Sequence, residues 1–229
     1  MFWTEDNSNS TEYKVPDDVV DISFKLDCRT LPLDHAHALA NELLNHLPWL
    51  AEEEQAGIHQ IHVAESGNGW QRPEDPENEV LCLSRRTKMQ VRVPKHRIDE
   101  ALGLEGVTLD IEGHTLSIRD GSIKPFLALP TLFARYVASD VDQDETGFLQ
   151  AMAQQIQAMG IPVKKLMAGK QSRIQRGDDV IYTRSLMVAD LKQEDSIQLQ
   201  QTGIGSGRLH GCGLFIPQKG IKAVNAQGE

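Results

Sequence analysis

The chain has 229 residues, of which 40% are hydrophobic, and its formal net charge is −10 at pH 7. This length fits one or two globular domains, and no apolar run approaches the roughly 20 residues that span a bilayer. The N-terminal residues lack the basic region and apolar core of a secretory signal, so we expect a cytoplasmic protein without a membrane partner. Cys28, Cys82 and Cys212 show no Cys-x-x-Cys spacing, which is typical of reduced, mostly buried thiols.

The charge is unevenly distributed along the sequence. Residues 1–27 contain seven acidic side chains, and residues 52–79 contain eight. Three other stretches contain no acidic residue, and together they hold fourteen of the twenty-three lysines and arginines. These stretches are residues 80–98, 161–177 and 203–222. A fold that gathers them on one side presents a basic face to a polyanion, and the alternative is that they are ordinary solvated side chains.

The first half of the chain predicts a mixture of strands and helices. Residues 1–18 are polar and acidic, which predicts a flexible tail. Leu39, Leu43 and Leu47 recur at helical spacing before Pro48, which ends the predicted helix. In chain order, the patterns predict a strand at 19–26, a helix at 33–47, strands at 58–63, 80–83 and 88–93, a helix at 94–102, and a hairpin of residues 107–111 and 114–118.

The second half repeats a similar order of elements. It predicts strands at 132–137, 164–168, 180–188 and 214–216, with helices at 145–159 and 194–201. This is the order βαββαβ. The sequence therefore predicts an α+β fold of tandem ferredoxin-like (RRM-like) domains with antiparallel sheets, at residues 19–126 and 127–229.

A glycine-rich loop lies between the last predicted helix and the last strand. Residues 203–213 contain five glycines: Gly203, Gly205, Gly207, Gly211 and Gly213. Such a backbone reaches positive φ and lets a ligand approach closely. The order helix, loop, strand is the reverse of a dinucleotide-binding fingerprint, and no Gly-Lys-Ser/Thr follows, so we expect no nucleotide cofactor.

With this loop, the second half resembles the RAMP superfamily of CRISPR-associated proteins. The chain from residue 19 to 222 resembles the endoribonuclease that processes CRISPR repeat RNA into guide RNAs. Three further segments resemble its MYXAN-type variant. They are residues 65–73, 165–170 and 183–190. The glycine loop alone marks only the superfamily, whereas the four segments in this order are more specific.

The resemblance implies a reaction, a substrate and partners. The reaction is metal-independent and needs no cofactor: a 2′-hydroxyl attacks the adjacent phosphate and leaves a 2′,3′-cyclic phosphate and a 5′-hydroxyl. The substrate is CRISPR repeat RNA, and the product crRNA stays bound by its 3′ hairpin within an effector complex of other CRISPR subunits. The catalytic histidine of the family commonly lies on or near the first helix, beside the glycine loop.

Several histidines are candidates for that role. We expect His35 to be catalytic, because the start of a helix offers free amides that favour a phosphate. His37 points about 200° away around the helix, so we do not expect both to act on one phosphate. His62 is the reserve candidate, and His46 is a further candidate that also fits the role of a capping or core-edge histidine. His210 on the glycine loop is a possible hydrogen-bond donor to phosphate, and a lysine or tyrosine base is the alternative to any histidine.

The resemblance also assigns residues to RNA binding. Lys170, Arg173 and Arg208 are expected at the scissile phosphate. Arg176 and Arg184 bracket a predicted hairpin turn and are expected in the groove of a repeat hairpin, where A-form RNA is recognised by shape and phosphate. The remaining expected contacts are Arg85, Arg86, Gly203, Gly205, Gly207, Gly211 and Gly213. Trp70 fits either a stacking contact with a base or packing on the core.

Three other functions compete with this interpretation. A metal site would use Asp34 with His37, or His59 with His62, but residues i and i+3 of a strand face opposite sides, so we expect no metal ion at the second pair. A non-cleaving RNA-binding subunit of a CRISPR effector complex has the same basic residues without the chemistry. A ferredoxin-like structural protein has no affinity for nucleic acid.

Overall fold

The computed structural model describes residues 13–63 and 80–218. The first half contains strands β1 (Val19–Asp27), β2 (Thr30–Pro32), β3 (Gly57–Ile58), β4 (Val80–Cys82), β5 (Lys88–Pro94), β6 (Thr108–Ile111) and β7 (His114–Lys124), with helices α1 (Ala36–His46) and α2 (Ile98–Leu102). The second half contains strands β8 (Leu132–Ala138), β9 (Lys165–Arg176), β10 (Asp179–Ala189) and β11 (Ile216–Pro217), with helices α3 (Glu145–Ala158) and α4 (Gln193–Thr202). Most of the predicted tail, Trp70 and the segment 65–73 lie outside the described residues.

The first half forms a five-stranded antiparallel sheet in the order β3-β5-β1-β7-β6. Within it, β3, β5, β1 and β7 have the ferredoxin-like order. Strand β6 is added at the edge through a turn at Glu112 and Gly113, which have φ values of 52° and 85°. Ile22 and Phe24 of β1 are fully buried together with Leu39 of α1. The alternating strand pattern and the helical leucine pattern therefore meet in one core.

The second half forms a four-stranded antiparallel sheet in the order β11-β8-β10-β9, which is again the ferredoxin-like order. Phe148 and Ile156 of α3 and Leu199 of α4 pack with Leu186 of β10 in a second core. Helix α3 begins after Asp144, whose side chain accepts a hydrogen bond from the N–H of Gly147 at 2.7 Å. The predicted fold class, an α+β fold of two ferredoxin-like units with antiparallel sheets, is confirmed.

Three strands differ clearly in length from the prediction. Strand β7, predicted at 114–118, continues to Lys124. The strand predicted at 58–63 is reduced to β3, because only Gly57 and Ile58 pair with β5. Strand β9 continues to Arg176 instead of ending at 168. It is the last strand of its sheet, and its second half is polar because much of that surface is exposed, so no alternation of apolar residues marks its length.

A buried ion pair joins the two halves. Arg92 is fully buried, and its Nε and Nη2 donate to the carboxylate of Asp21 at 2.8 and 3.0 Å. Its Nη1 and Nη2 also donate to the carbonyls of Gln200 and Phe215 in the second half, at 2.7 and 3.0 Å. The guanidinium lies 4.6 Å from the ring centre of Phe126. Strand β5 is thereby tied to α4 and to the segment before β11.

The three cysteines are free thiols at different depths. Cys212 is buried, and this burial raises its pKa to about 12. Cys28 is half-buried and Cys82 is exposed, so the prediction of mostly buried thiols is wrong for Cys82. Among residues 13–63 and 80–218, no helix has the length and apolar character needed to cross a membrane.

Candidate active site

The glycine-rich loop contains a short 3₁₀ turn, Arg208–His210, that presents His210. Gly207 and Gly211 flank this turn, and both have a left-handed φ of 84°. A Cβ atom on Gly211 would lie 2.9 Å from the Cγ of Gln60. Glycine is therefore required there both for the backbone conformation and for the close approach of the first half.

His37 and His210 form a pair at the junction of α1 and the loop. Nδ1 of His37 lies 3.3 Å from Nε2 of His210, and the rings stack with centroids 5.6 Å apart at an interplanar angle of 10°. Asn41 and Gln60 support the pair: Asn41 Nδ2 lies 3.1 Å from His37 Nε2, and Gln60 Nε2 donates to the His210 carbonyl at 2.9 Å. Burial, His37 and Arg176 lower the pKa of His210 to about 4, so this ring is neutral at pH 7.

The start of α1 is packed against the β9–β10 hairpin. The carboxylate of Asp34 accepts a hydrogen bond from the N–H of Gln175 at 2.9 Å. Ala36 packs with Ile174 and Cys212 in a small buried cluster. These contacts bring the histidine pair to the place where α1, the glycine loop and the hairpin turn meet.

His35 occupies the position before α1, but its ring is buried and only 1% of the residue is exposed. Nδ1 donates to the carbonyl of Pro32 and Nε2 accepts from the N–H of Ile61, both at 3.0 Å. Burial lowers the pKa of His35, which keeps the ring neutral. The expectation that His35 is the catalytic histidine is therefore revised, since both ring nitrogens are used inside the protein.

The other two candidate histidines lie apart from the pair. His46 is the exposed last residue of α1, nine positions beyond His37, which corresponds to about 13 Å along the helix axis. His62 is exposed and stacks on Tyr136, with ring centroids 5.9 Å apart. It lines a groove between the halves together with Arg135. Neither ring contacts His37 or His210 by hydrogen bonding or stacking.

Arg208 does not point to an accessible phosphate site. Its Nε, Nη1 and Nη2 donate to the carbonyls of Ala56, Thr202 and Gln55 at 2.9, 2.7 and 2.8 Å. Burial lowers its pKa to about 10, and the charge of Arg92 contributes to this. The predicted phosphate contact of Arg208 is therefore revised: this side chain fastens the glycine loop to the first half.

The predicted RNA contacts on the hairpin of β9 and β10 differ in their exposure to solvent. Lys170, Arg173 and Arg176 are exposed on β9, the edge strand, and Arg176 Nη2 lies 3.3 Å from Asp179 Oδ2 across the turn. Arg184 is instead half-buried, and its guanidinium donates to the carbonyls of Gly169 and Gln143. The expected RNA contact of Arg184 is therefore revised.

The loop glycines and the arginines before β5 also differ in their exposure to solvent. Gly203, Gly211 and Gly213 are buried, whereas Gly205 is exposed and Gly207 is half-buried. The three buried glycines shape the loop and do not offer a surface for RNA, so their predicted contacts are revised. Arg85 and Arg86 are exposed, and Arg85 lines a depression with Lys25 and Arg119 on the surface of the first sheet.

The side chains considered from sequence as metal ligands have other partners in the structure. Among the described residues, no three His, Cys, Asp or Glu side chains are grouped as metal ligands. Asp34 bonds to the backbone of Gln175 and His37 to His210 and Asn41. His59 Nε2 lies 3.4 Å from Asp21 Oδ1, which is held by Arg92.

From the sequence, His35 is preferred for the free amides at the start of the helix, and His37 is set aside because it points away from His35. The face of α1 that meets the glycine loop depends on how the helix packs, and that packing is a long-range property. A pattern search for histidines on both elements would have found His37 and His210 as a possible pair. It could not have shown that their nitrogens lie 3.3 Å apart.

Comparisons with known proteins identify the family. The family model described as Cas6 Crispr matches residues 20–220. The CRISPR-associated endonuclease Cas6 of Myxococcus xanthus (strain DK1622) is 30% identical over 210 residues, which cover 92% of this chain and 86% of that protein.

Solved structures share the fold at low sequence identity. A Cas6-related protein of Pyrococcus furiosus has a TM-score of 0.59 at 16% identity, covering 86% of this chain and 97% of that chain. A RAMP protein described as binding different RNA substrates also has a TM-score of 0.59, at 14% identity, covering 87% of this chain and 100% of that chain. With the family match, these similarities show that the chain belongs to the Cas6 family of CRISPR-associated proteins.

Proposed function

We propose that this protein is an endoribonuclease that cleaves CRISPR repeat RNA into guide RNAs. The M. xanthus relative carries the name of a CRISPR-associated endonuclease, and a related fold is described as binding RNA. The observation that carries the proposal is the His37–His210 pair, whose facing nitrogens lie 3.3 Å apart beside a basic edge strand. Histidine exchanges protons near neutral pH, as cleavage next to a 2′-hydroxyl requires.

The proposed reaction proceeds without a metal ion. The 2′-oxygen attacks the adjacent phosphorus while its proton passes to His37. The bond from phosphorus to the 5′-oxygen breaks as that oxygen takes a proton from solvent water, and His37 returns its own proton to solvent after the reaction. The products are a 2′,3′-cyclic phosphate and a 5′-hydroxyl. His210 accepts a hydrogen bond from His37 and stabilises the imidazolium that forms. Lys170, Arg173 and Arg176 are proposed to bind the RNA backbone, where cations offset the charge that develops on phosphate.

We also propose that the protein retains the 3′ hairpin of its product and joins other CRISPR subunits in an effector complex. The acid-free stretch 161–177 supports hairpin binding, because its basic side chains lie exposed along β9. A second function, binding of the same RNA without cleavage, shares these basic residues and differs only at the histidine pair.

Substitution of His37 separates the two functions. We expect His37→Ala to lower the single-turnover cleavage rate by about 10²- to 10⁴-fold, as loss of a general base does, with RNA affinity changed by less than about 3-fold. The measurement is cleavage and filter binding of one labelled repeat RNA. His46→Ala and His62→Ala are the matched comparisons, since both residues are exposed and neither ring bonds to or stacks on the pair. Loss of cleavage in either of these, with full activity in His37→Ala, would contradict the assignment.

A further inference from the structure

Asn41 lies one helical turn after His37 on α1 and is exposed. Residues four apart share a helix face. The amide nitrogen of Asn41 lies 3.1 Å from Nε2 of His37. Nδ1 of the same ring lies 3.3 Å from Nε2 of His210. Both nitrogens of His37 therefore have a defined partner.

These partners determine where the proton of neutral His37 lies. An amide nitrogen only donates, so in this orientation of the Asn41 amide Nε2 of His37 accepts with its lone pair. The single ring proton is then on Nδ1, from which it is donated to Nε2 of His210. His210 in turn carries its own proton on Nδ1. The contacts thus form one directed chain from Asn41 through His37 to His210.

We propose that Asn41 is a positioning residue that keeps His37 in the tautomer with its lone pair on Nε2. This inference rests on the proposed function of the histidine pair. A 2′-hydroxyl takes the place of the Asn41 amide at Nε2 and gives its proton to that lone pair. In the opposite tautomer Nε2 carries a proton and cannot accept another, and Nδ1 has no proton to donate to His210.

The position of Asn41 suits this role. Its side chain is exposed, so the amide is free to swing aside when RNA enters. His210 cannot set the tautomer by itself, because each of its nitrogens is able to donate or to accept, depending on where its proton lies. Among the hydrogen bonds of the described residues, the Asn41 amide is the only amide that contacts Nε2 of His37.

The test exchanges the donor for an acceptor of the same shape. A carboxylate only accepts, so Asn41→Asp should move the proton of His37 to Nε2. Asn41→Leu removes the donor without adding a charge. Asn45→Asp, in the next turn of the same exposed face, is the control for an added negative charge. Long-range proton–nitrogen correlation spectra of the RNA-free, ¹⁵N-labelled protein at pH 7.5 report the tautomer, with the His37 signals identified by their loss in His37→Ala.

His35 is an internal standard for these spectra. Its Nδ1 donates to Pro32 and its Nε2 accepts from Ile61, so its proton lies on Nδ1 independently of Asn41. We expect His37 to match His35 in the wild type and in Asn45→Asp, and to show the Nε2–H pattern in Asn41→Asp. The saturating single-turnover cleavage rate should fall by at least about 10-fold in Asn41→Asp, and by less in Asn41→Leu. The RNA concentration at half-saturation should change by less than about 2-fold.

Three results would overturn the inference. The first is a wild-type His37 with its proton on Nε2. The second is an Asn41→Asp variant with an unchanged tautomer, and the third is a changed tautomer with an unchanged cleavage rate. Failure of the proposed function is distinguishable, because the tautomer is measured without RNA. Full cleavage by His37→Ala would remove the proposed chemistry whatever the spectra of the Asn41 variants show.

Discussion

Two positions separate His35 from His37, and the rings have opposite surroundings. His35 is enclosed between Pro32 and Ile61, whereas His37 reaches His210 and Asn41. The sequence was sufficient to predict α1 and its histidines. It was not sufficient to choose between them, because the choice depends on which side of the helix meets the glycine loop, about 170 positions later in the chain.

The burial of His35 predicts a pH dependence of stability. Unfolded His35 binds a proton below its ordinary pKa of about 6.5, while the folded ring has a lowered pKa and stays neutral. The unfolded state therefore binds more protons in this range, and the unfolding free energy should fall as the pH drops below about 6.5, by up to about 1.4 kcal/mol per pH unit.

Denaturant unfolding at pH 8, 7, 6 and 5 measures this effect. His35→Asn has no titrating ring, so it should be less stable than the wild type at pH 8 but should lose less stability on acidification. An equal loss between pH 7 and 5 in both proteins would contradict this account of His35.

At the scale of elements, the β9–β10 hairpin carries a basic edge strand and also packs against the start of α1, next to the histidine pair. Strand β10 was predicted because its apolar residues face the core, as Leu186 and Val188 do. The length of β9 was not predictable, because Lys170 and its neighbours on an edge strand lack an apolar pattern. The hairpin therefore places basic side chains on an exposed edge. From the sequence, this segment was notable only as a stretch without acidic residues.

Lys170 tests the role of this edge in RNA binding. We expect Lys170→Ala to weaken the binding of all RNA hairpins similarly and to reduce the slope of log K against log salt by about one, as loss of one phosphate contact does. Lys192→Ala is the control, because Lys192 is exposed at the start of α4. A salt slope that is unchanged by Lys170→Ala would place the RNA backbone elsewhere.

The whole molecule depends on a charged contact that the sequence did not reveal. Arg92 belongs to a basic stretch and alternates outward in the pattern of β5, yet it is fully buried against Asp21, Gln200 and Phe215. Burial alone raises the pKa of Asp21, but Arg92 and His59 outweigh it and hold the pKa well below its ordinary value. The outward face of one sheet thus becomes an interior once the second half packs on it.

Arg92→Met removes the guanidinium that binds both oxygens of the buried Asp21 carboxylate and leaves the 3.4 Å contact with His59. We expect this change to lower the unfolding free energy by about 3–5 kcal/mol, because breaking a buried ion pair leaves an uncompensated charge. The double variant with Asp21→Leu should recover part of that loss, since it removes the remaining charge. Denaturant titrations of both variants measure the difference, and a double variant less stable than Arg92→Met would contradict the explanation.

The most direct test of the proposed function is cleavage of cognate repeat RNA in EDTA, beside a copy with one 2′-deoxy residue at the cut. We predict that the all-ribose RNA is cleaved and ends in a 2′,3′-cyclic phosphate, while the 2′-deoxy RNA is bound with similar affinity and remains intact. Cleavage of both RNAs, or cleavage that stops in EDTA, would contradict the metal-independent attack by the 2′-hydroxyl. Binding of both without cleavage would show a non-cleaving RNA-binding subunit.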